Sequence, residues 1–361
     1  DWFQSARLGM FIHWGISVVP KETWRELGWL DPDTARGDSS WFFRRHEIPV
    51  KEWERLAGRF NPEQFNADTI AALASEAGMK YLVITAKHHD GFSLFNSKVS
   101  GFDVMDSTPF KRDIIGELAR ACRRHGVHFC LYYSQAQDWH HPDGAGNTWD
   151  FQKEDKNFAR YFEQKCKPQV RELMTQYGPL GLFWFDTPAV INAGQSQELH
   201  DMVKAIQPDC LINSRIGNGL GDYMSMGDSQ FPDAQIAGLW ETASTTNRHW
   251  SFVDGDGPRF TPTAAIRYVA GNVSRGGNTL LNFSPDWNGI IREDSAELLR
   301  GIGQWLHVNG ESIYECGRNP YYSAFEWGTI TSRPGFLYLH VFDWPGGKLT
   351  LHGLKNKVGQ V

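Results

Sequence analysis

The stretch YLVITAKHHDGFSLF, residues 81–95, runs from a short apolar segment straight into Lys87, His88, His89 and Asp90, followed by Gly91. A near-continuous apolar run of this length reads as a strand buried on both faces, as in a parallel sheet. A strand that only filled a core would end in a simple turn. One that ends in four titratable side chains reads as part of the rim of a site.

The same grammar repeats along the chain. GMFIHWG (9–15), VHFCLYYS (127–134), GLFWFD (181–186), CLINSRIG (210–217), LWET (239–242) and NTLLNFSP (278–285) read as further strands. Helix-period segments separate them. In NADTIAALASEAGMK (66–80), Ile70, Leu73, Ala74 and Ala77 share one face and Gly78 lies near the stop. RDIIGELARACRRHG (112–126), residues 155–177, QSQELHDMVKAIQP, 262–275 and 293–308 are read as helices in the same way. Strand–helix alternation with buried strands predicts an α/β fold closed as a (β/α)8-type barrel, irregular in its later units. The competing doubly wound sheet lacks a glycine-rich phosphate loop after its first strand. From about residue 319, FEWGTITSRPGFLYLHVFDWPGGKLTLHGL alternates with Gly/Pro turns. The expected organisation is a barrel over 1–315 and the start of a separate C-terminal antiparallel β domain from 316 to 361.

Composition narrows the function classes. The 361 residues carry a net charge of −6 with both signs interspersed, so no basic patch for nucleic acid is expected. No run approaches the roughly 20 apolar residues of a membrane span. Five scattered cysteines with no CxxC read as buried apolar side chains, not as a disulfide framework or zinc site. Fifteen tryptophans suit either an aromatic core or surfaces that stack on sugar rings.

The strand ends converge chemically: His13-Trp14, His88-His89-Asp90, Tyr132-Tyr133-Ser134, Trp184-Phe185-Asp186, Asn213-Ser214-Arg215 and Trp240-Glu241. Barrel enzymes assemble their chemistry at these C-terminal ends. A metal-dependent hydrolase could use His13, His88, His89 and Asp186, but no strand shows His-x-His spacing. Nucleophilic triads lack an elbow sequence. Two carboxylates among His, Tyr, Arg and Trp fit glycoside hydrolysis better, one ionised near the anomeric carbon and one protonated near the leaving oxygen. Asp186 is the candidate nucleophile, with Arg215 able to keep a nearby carboxylate ionised. Glu241, among aromatics, is the candidate acid.

Several longer motifs carry a resemblance. GMFIHWG, TAKHHDGF (85–92), STPFKRDIIGELARACRRHG (107–126), LYYSQAQDWHHPDG (131–144), LFWFDT, DCLINSRIG and SRGGNTLLNFSPDWNG (274–289) occur in the order seen in glycoside hydrolase family 29. The chain resembles these α-L-fucosidases from about Gly9 to Tyr314. The resemblance implies a retaining exo-hydrolase of terminal α-L-fucosyl residues on a barrel followed by a β-sandwich. It also implies no cofactor and a fucosylated oligosaccharide or glycoconjugate as partner, with a secreted or periplasmic location suggested by that role.

Carried over by motif, Asp186 is the nucleophile, and His13, His88, His89, Tyr132, Trp184 and Arg215 line the sugar pocket. WET followed by Asn247 and Trp250 resembles the pattern that makes Glu241 the acid/base, with Asp228 in MGDSQFP as the alternative. Gln230, where relatives carry Glu, cannot donate a carboxylic proton. The family's pocket Glu-Trp is Ser40-Trp41 here, which predicts a lost or water-mediated sugar contact. That departure keeps a related 6-deoxy or galacto-configured sugar open as substrate, beside a catalytically silent sugar-binding barrel. The two histidines of DWHHPDG (138–144) are expected to shape their loop.

Overall fold

The computed structural model describes residues 2–28, 37–232, 236–321 and 325–361. Eight parallel strands form one curled sheet: β1 Leu8–Ile12, β2 Tyr81–Lys87, β3 His128–Ser134, β4 Leu182–Asp186, β5 Leu211–Ile212, β6 Met224–Ser225, β7 Trp240–Thr245 and β8 Asn278–Asn282. Their order, β5-β4-β3-β2-β1-β8-β7-β6, leaves β5 and β6 at the two edges. A single parallel bridge between Asn213 and Tyr223 joins those edges, so the sheet fits a (β/α)8 barrel with a weak seam. The seam is where regularity lapses. Only a 3-10 turn, Ser214–Ile216, links β5 towards β6.

Among the described residues no helix lies between β6 and β7 either, and elsewhere helices follow the strands where the sequence supplies caps. Asn66 Oδ1 accepts from the Thr69 amide ahead of Ala67–Glu76, and Asp113 does the same for Gly116 ahead of Ile114–Arg124. Asn192 and Gln195 form a capping box for Ala193–Ile206. The helix expected over 155–177 is divided into Phe158–Tyr161, a five-residue π turn Phe162–Cys166, and Lys167–Gln176. Pro168, which has no amide to donate, sits at the start of the last segment.

Alternation along the strands creates two cores. Phe11, Tyr81, Val83, Cys130, Tyr132, Leu182, Trp184, Ala243 and Leu280 fill the interior, while Met10, Leu82, Ile84, Phe129, Leu131, Phe183 and Phe185 pack outward under the helices. All five cysteines are free and buried. Gly9 pairs with Tyr81 in register, and a Cβ at Gly9 would stand 2.5 Å from the Tyr81 ring. Glycine there makes room for that ring.

The antiparallel part of the C-terminal expectation holds: among the described residues from 316, β9 Gly328–Arg333 and β10 Phe336–Val341 form one two-stranded antiparallel sheet, with no second sheet packed on it as a sandwich. A lone hairpin is marginal in water. This one leans on the barrel: Thr329 bonds Ser274, and Thr331 Oγ1 donates to the Ser312 carbonyl at 2.5 Å. Among the described residues, LTL (349–351) has no neighbouring strand to pair with and stays irregular.

Candidate active site

Asp186 closes β4 on its inner face, two residues above Trp184 and one pleat repeat higher. Tyr132 Oη donates to Asp186 Oδ2 at 2.8 Å, and Arg215 Nη1 donates to Oδ1 at 2.9 Å. His89 Nε2 stands 3.6 Å from Oδ2. The Asp186 amide donates to Gln135 Oε1, which fixes the backbone at the strand end. Arg215 lies over the Trp184 indole, 4.7 Å from its centroid. Its second arm, Nη2, donates to the Met226 carbonyl at 2.8 Å and to Asp228 Oδ1 at 2.6 Å. Burial opposes the charge of this guanidinium, yet Asp186 and Asp228 outweigh it and hold the pKa above its ordinary value. One arginine thus bridges two carboxylates.

Three histidines line the same bowl. His13 Nδ1 pairs with Asn282 Oδ1 at 2.8 Å, and His89 Nδ1 pairs with Ser134 Oγ at 2.6 Å. His88 stacks on Tyr132 at 5.5 Å and 17°, and its buried Nδ1 has no hydrogen-bond partner among the described residues. Adjacent residues on an ideal strand point to opposite sides. Here β2 ends at Lys87 with a register irregularity after Thr85, so both His88 and His89 reach the bowl. Burial pushes all three imidazoles down, His88 and His89 well below the ordinary value. Neutral rings of this kind both donate to and accept from hydroxyls. Trp250 lies 4.9 Å from His13, and Trp41 stands edge-on to His89 at 5.2 Å. His13, Trp41, His88, His89, Tyr132, Trp184, Asp186, Arg215 and Trp250 therefore belong to one connected cluster.

Glu241 is placed elsewhere. The sequence reading ended its strand at LWET, but β7 runs on to Thr245 and Glu241 is its second residue, in register with Asn278. The side chain points into the barrel and has no exposed surface. It accepts hydrogen bonds from Tyr81 Oη at 2.5 Å and Trp184 Nε1 at 3.0 Å. Tyr81 is the first residue of β2, so this carboxyl sits beneath Trp184 at the barrel floor. Burial pushes its pKa up to about 7, against the pull of the two hydrogen bonds and the Arg215 charge. Both oxygens accept hydrogen bonds inside the barrel. Asp228, on the loop after β6, is half-exposed and faces the nucleophile across Arg215.

Other residues complete the site. Asn282, at the end of β8, holds His13 and donates through Nδ2 to the Trp250 carbonyl at 2.6 Å. Asp38 accepts from the Ser40 amide, from Ser40 Oγ at 2.7 Å, and from the Trp250 amide at 2.6 Å. Neither was singled out from sequence, although Asn282 lies within the NTLLNFSP strand and Asp38 just ahead of Ser40-Trp41. Ser40 itself is buried and bonded to Asp38, and it lines a small polar cavity with His13, Thr85, His88 and Ser251. In the DWHHPDG loop, His140 stacks on Phe102 at 4.0 Å and pairs with Glu54, while His141 accepts from the Asp143 amide. Asp138 is buried with Lys87 and Lys165, and Gly91 leaves the space that its side chain fills. Among the described residues, no group of three His, Cys, Asp or Glu side chains converges as a metal site.

Comparison with known proteins agrees with this arrangement. The family profile described as Alpha-L-fucosidase matches residues 1–311. The plasma α-L-fucosidase of Rattus norvegicus is 32% identical over 97% of this chain and 79% of its own length. An α-L-fucosidase structure from Vibrio sp. strain EJY3 superposes with a TM-score of 0.88 at 36% identity, covering 94% of this chain, which spans 60% of that protein. One from Lactobacillus casei in complex with α-L-fucose product gives a TM-score of 0.79 at 40% identity, over 86% of this chain and 98% of that one. With the motifs, the curled parallel sheet and the carboxylate–arginine cluster pointing the same way, the chain belongs to the α-L-fucosidase family, glycoside hydrolase family 29.

Proposed function

We propose that the chain hydrolyses terminal α-L-fucosyl residues with retention, using Asp186 as nucleophile and Asp228 as acid/base. The observation that carries this reading is the single guanidinium of Arg215 shared by the two carboxylates. Carboxyl groups one guanidinium apart suit the roughly 5–5.5 Å separation of retaining enzymes better than the roughly 6.5–9.5 Å of inverting ones. An aspartate-to-alanine variant of the L. casei enzyme has been solved with Fuca(1,6)GlcNAc, which supports a fucosylated glycan as substrate class.

In the first step an Asp186 oxygen bonds the anomeric carbon as the glycosidic C–O bond breaks, and Asp228 gives its proton to the leaving oxygen. In the second, Asp228 takes a proton from water, the water oxygen bonds the anomeric carbon, and Asp186 departs as carboxylate. Tyr132 and Arg215 orient the nucleophile throughout. The neutral His13, His88 and His89 meet the sugar hydroxyls, while Phe11 and Trp250 offer an apolar wall to the C5 methyl group. A secreted or periplasmic setting fits an enzyme of glycans.

The test is release of nitrophenol from an aryl α-L-fucoside. Wild-type turnover, silence of Asp186→Asn, and azide rescue of Asp228→Ala as a fucosyl azide of retained configuration are expected. Rescue at Glu241→Ala and none at Asp228→Ala would reverse the acid/base assignment. The small cavity beside Ser40 favours one second reading, a galacto-configured sugar accepted in the same pocket. Faster cleavage of an aryl β-D-galactoside than of the fucoside would establish it.

A further inference from the structure

Glu241 takes no part in the two steps above, yet it is a fully buried carboxyl at the floor of the barrel. Among the described residues, its hydrogen bond to the site is with the Trp184 indole N–H, 3.0 Å away. That indole is the platform of the site. Arg215 lies over it at 4.7 Å, and Tyr132 stacks against it at 5.5 Å and 19°. Arg215 and Tyr132 are the two groups that donate to Asp186. An indole has a single polar atom, so one acceptor decides its rotation in the plane of the ring. Phe11, 5.3 Å away and tilted by 59°, restrains the ring sterically but offers no directional bond.

Glu241 is itself held. Tyr81 Oη donates to its second oxygen, and Tyr81 fits there because Gly9 leaves space for its ring. The chain of contacts runs from Gly9 through Tyr81, Glu241 and Trp184 to Arg215 and Tyr132, and so to Asp186. Leucine at position 241 would fill the volume more simply. A carboxyl with two buried donors aimed at it instead sets one orientation for the indole, since misplacing either donor leaves it unsatisfied.

We propose that Glu241 is a positioning residue for the hydrolysis, acting through Trp184 to set the geometry of the Asp186 nucleophile. This rests on the reading of Asp186 given above. Glutamine preserves the role: its carbonyl accepts from Trp184 and its amide donates to Tyr81. Leucine removes it.

The experiment compares Glu241→Gln, Glu241→Leu, Trp184→Phe and Tyr81→Phe on an aryl α-L-fucoside, after wild-type turnover and Asp186→Asn silence have secured the nucleophile. Glu241→Gln should stay within about threefold of wild type. Glu241→Leu and Trp184→Phe should each lower kcat at least tenfold with KM changed much less, and the double variant should be no worse than the poorer single. Tyr81→Phe, at the barrel floor and remote from the sugar, should lower kcat in the same sense. Additive losses, a glutamine variant as impaired as leucine, or azide rescue of Glu241→Ala would overturn the proposal. If Glu241→Leu does not fold, the Tyr81→Phe and Trp184→Phe pair decides the same question, since both act through the Glu241 carboxyl and their losses should not add. Should the wild type release no nitrophenol, the functional reading fails separately. Crystal structures of the two variants then decide: the Trp184 indole and its Arg215 and Tyr132 neighbours should be displaced in Glu241→Leu and kept in Glu241→Gln, and an unmoved indole in the leucine variant would contradict the proposal.

Discussion

Replacing Arg215 by lysine keeps the charge and removes the bridge. The guanidinium donates simultaneously to Asp186 at 2.9 Å and Asp228 at 2.6 Å while lying over Trp184, 4.7 Å from its centroid. An ammonium is a point charge on a flexible stem, with no rigid fork and no stacking plane. It can follow one carboxylate and release the other. One charge-assisted hydrogen bond contributes roughly 1.5–3 kcal/mol, so kcat/KM should fall roughly ten- to a hundredfold. The side chain is only partly buried, and thermal stability should change by a few degrees at most. Steady-state kinetics on an aryl α-L-fucoside and a thermal melt of the same preparation measure both. A lysine variant within threefold of wild type would refute the claim that the shared guanidinium organises the two carboxylates.

Two further predictions concern stability. Burial raises Glu241 from its ordinary 4.5 to about 7, so the fold favours its neutral form. Its contribution is fully present below pH 4.5 and is lost as pH rises through 7. Glu241→Gln should therefore gain on wild type by up to about 3 kcal/mol between pH 4.5 and pH 8; a pH-independent difference in urea unfolding would contradict this. Asp138 sits unexposed between Lys87 Nζ at 3.3 Å and Lys165 Nζ at 2.8 Å, which together hold its pKa far below the usual range against the effect of burial. Asp138→Asn leaves two buried cations uncompensated and should cost about 3–5 kcal/mol, read from the urea midpoint at unchanged slope. A loss below about 1 kcal/mol would show the cluster to be better hydrated than the geometry implies.

The parts of the architecture that could be read from the sequence are those with local physical signals. YLVITA, HFCLYYS and LFWFD are continuous apolar runs, and helices such as Ala193–Ile206 carry their own caps. The bowl was visible because polar residues end those runs. Glu241 shows what such reasoning misses, the length of its strand. A polar residue after Leu239 and Trp240 looks like a strand end, but β7 continues because its pairing with β8 continues, from Glu241–Asn278 to Thr245–Asn282. That is a long-range property with no local mark. Asp228 was visible only as an alternative, because its strand is the two-residue Met224–Ser225 and no apolar run announces it. The alternation within 325–354 was legible as antiparallel strand, and among the described residues β9 and β10 are the strands that pair from it.

The most direct test of the proposed chemistry is covalent. Incubating the chain with an α-L-fucosyl fluoride that carries fluorine in place of the 2-hydroxyl slows release of the glycosyl-enzyme, and mass spectrometry of the digested protein locates the added sugar. One fucosyl group on the peptide containing Asp186 is the predicted result. Labelling of Asp228 or Glu241, or turnover of the aryl fucoside with inverted configuration and no adduct, would contradict it.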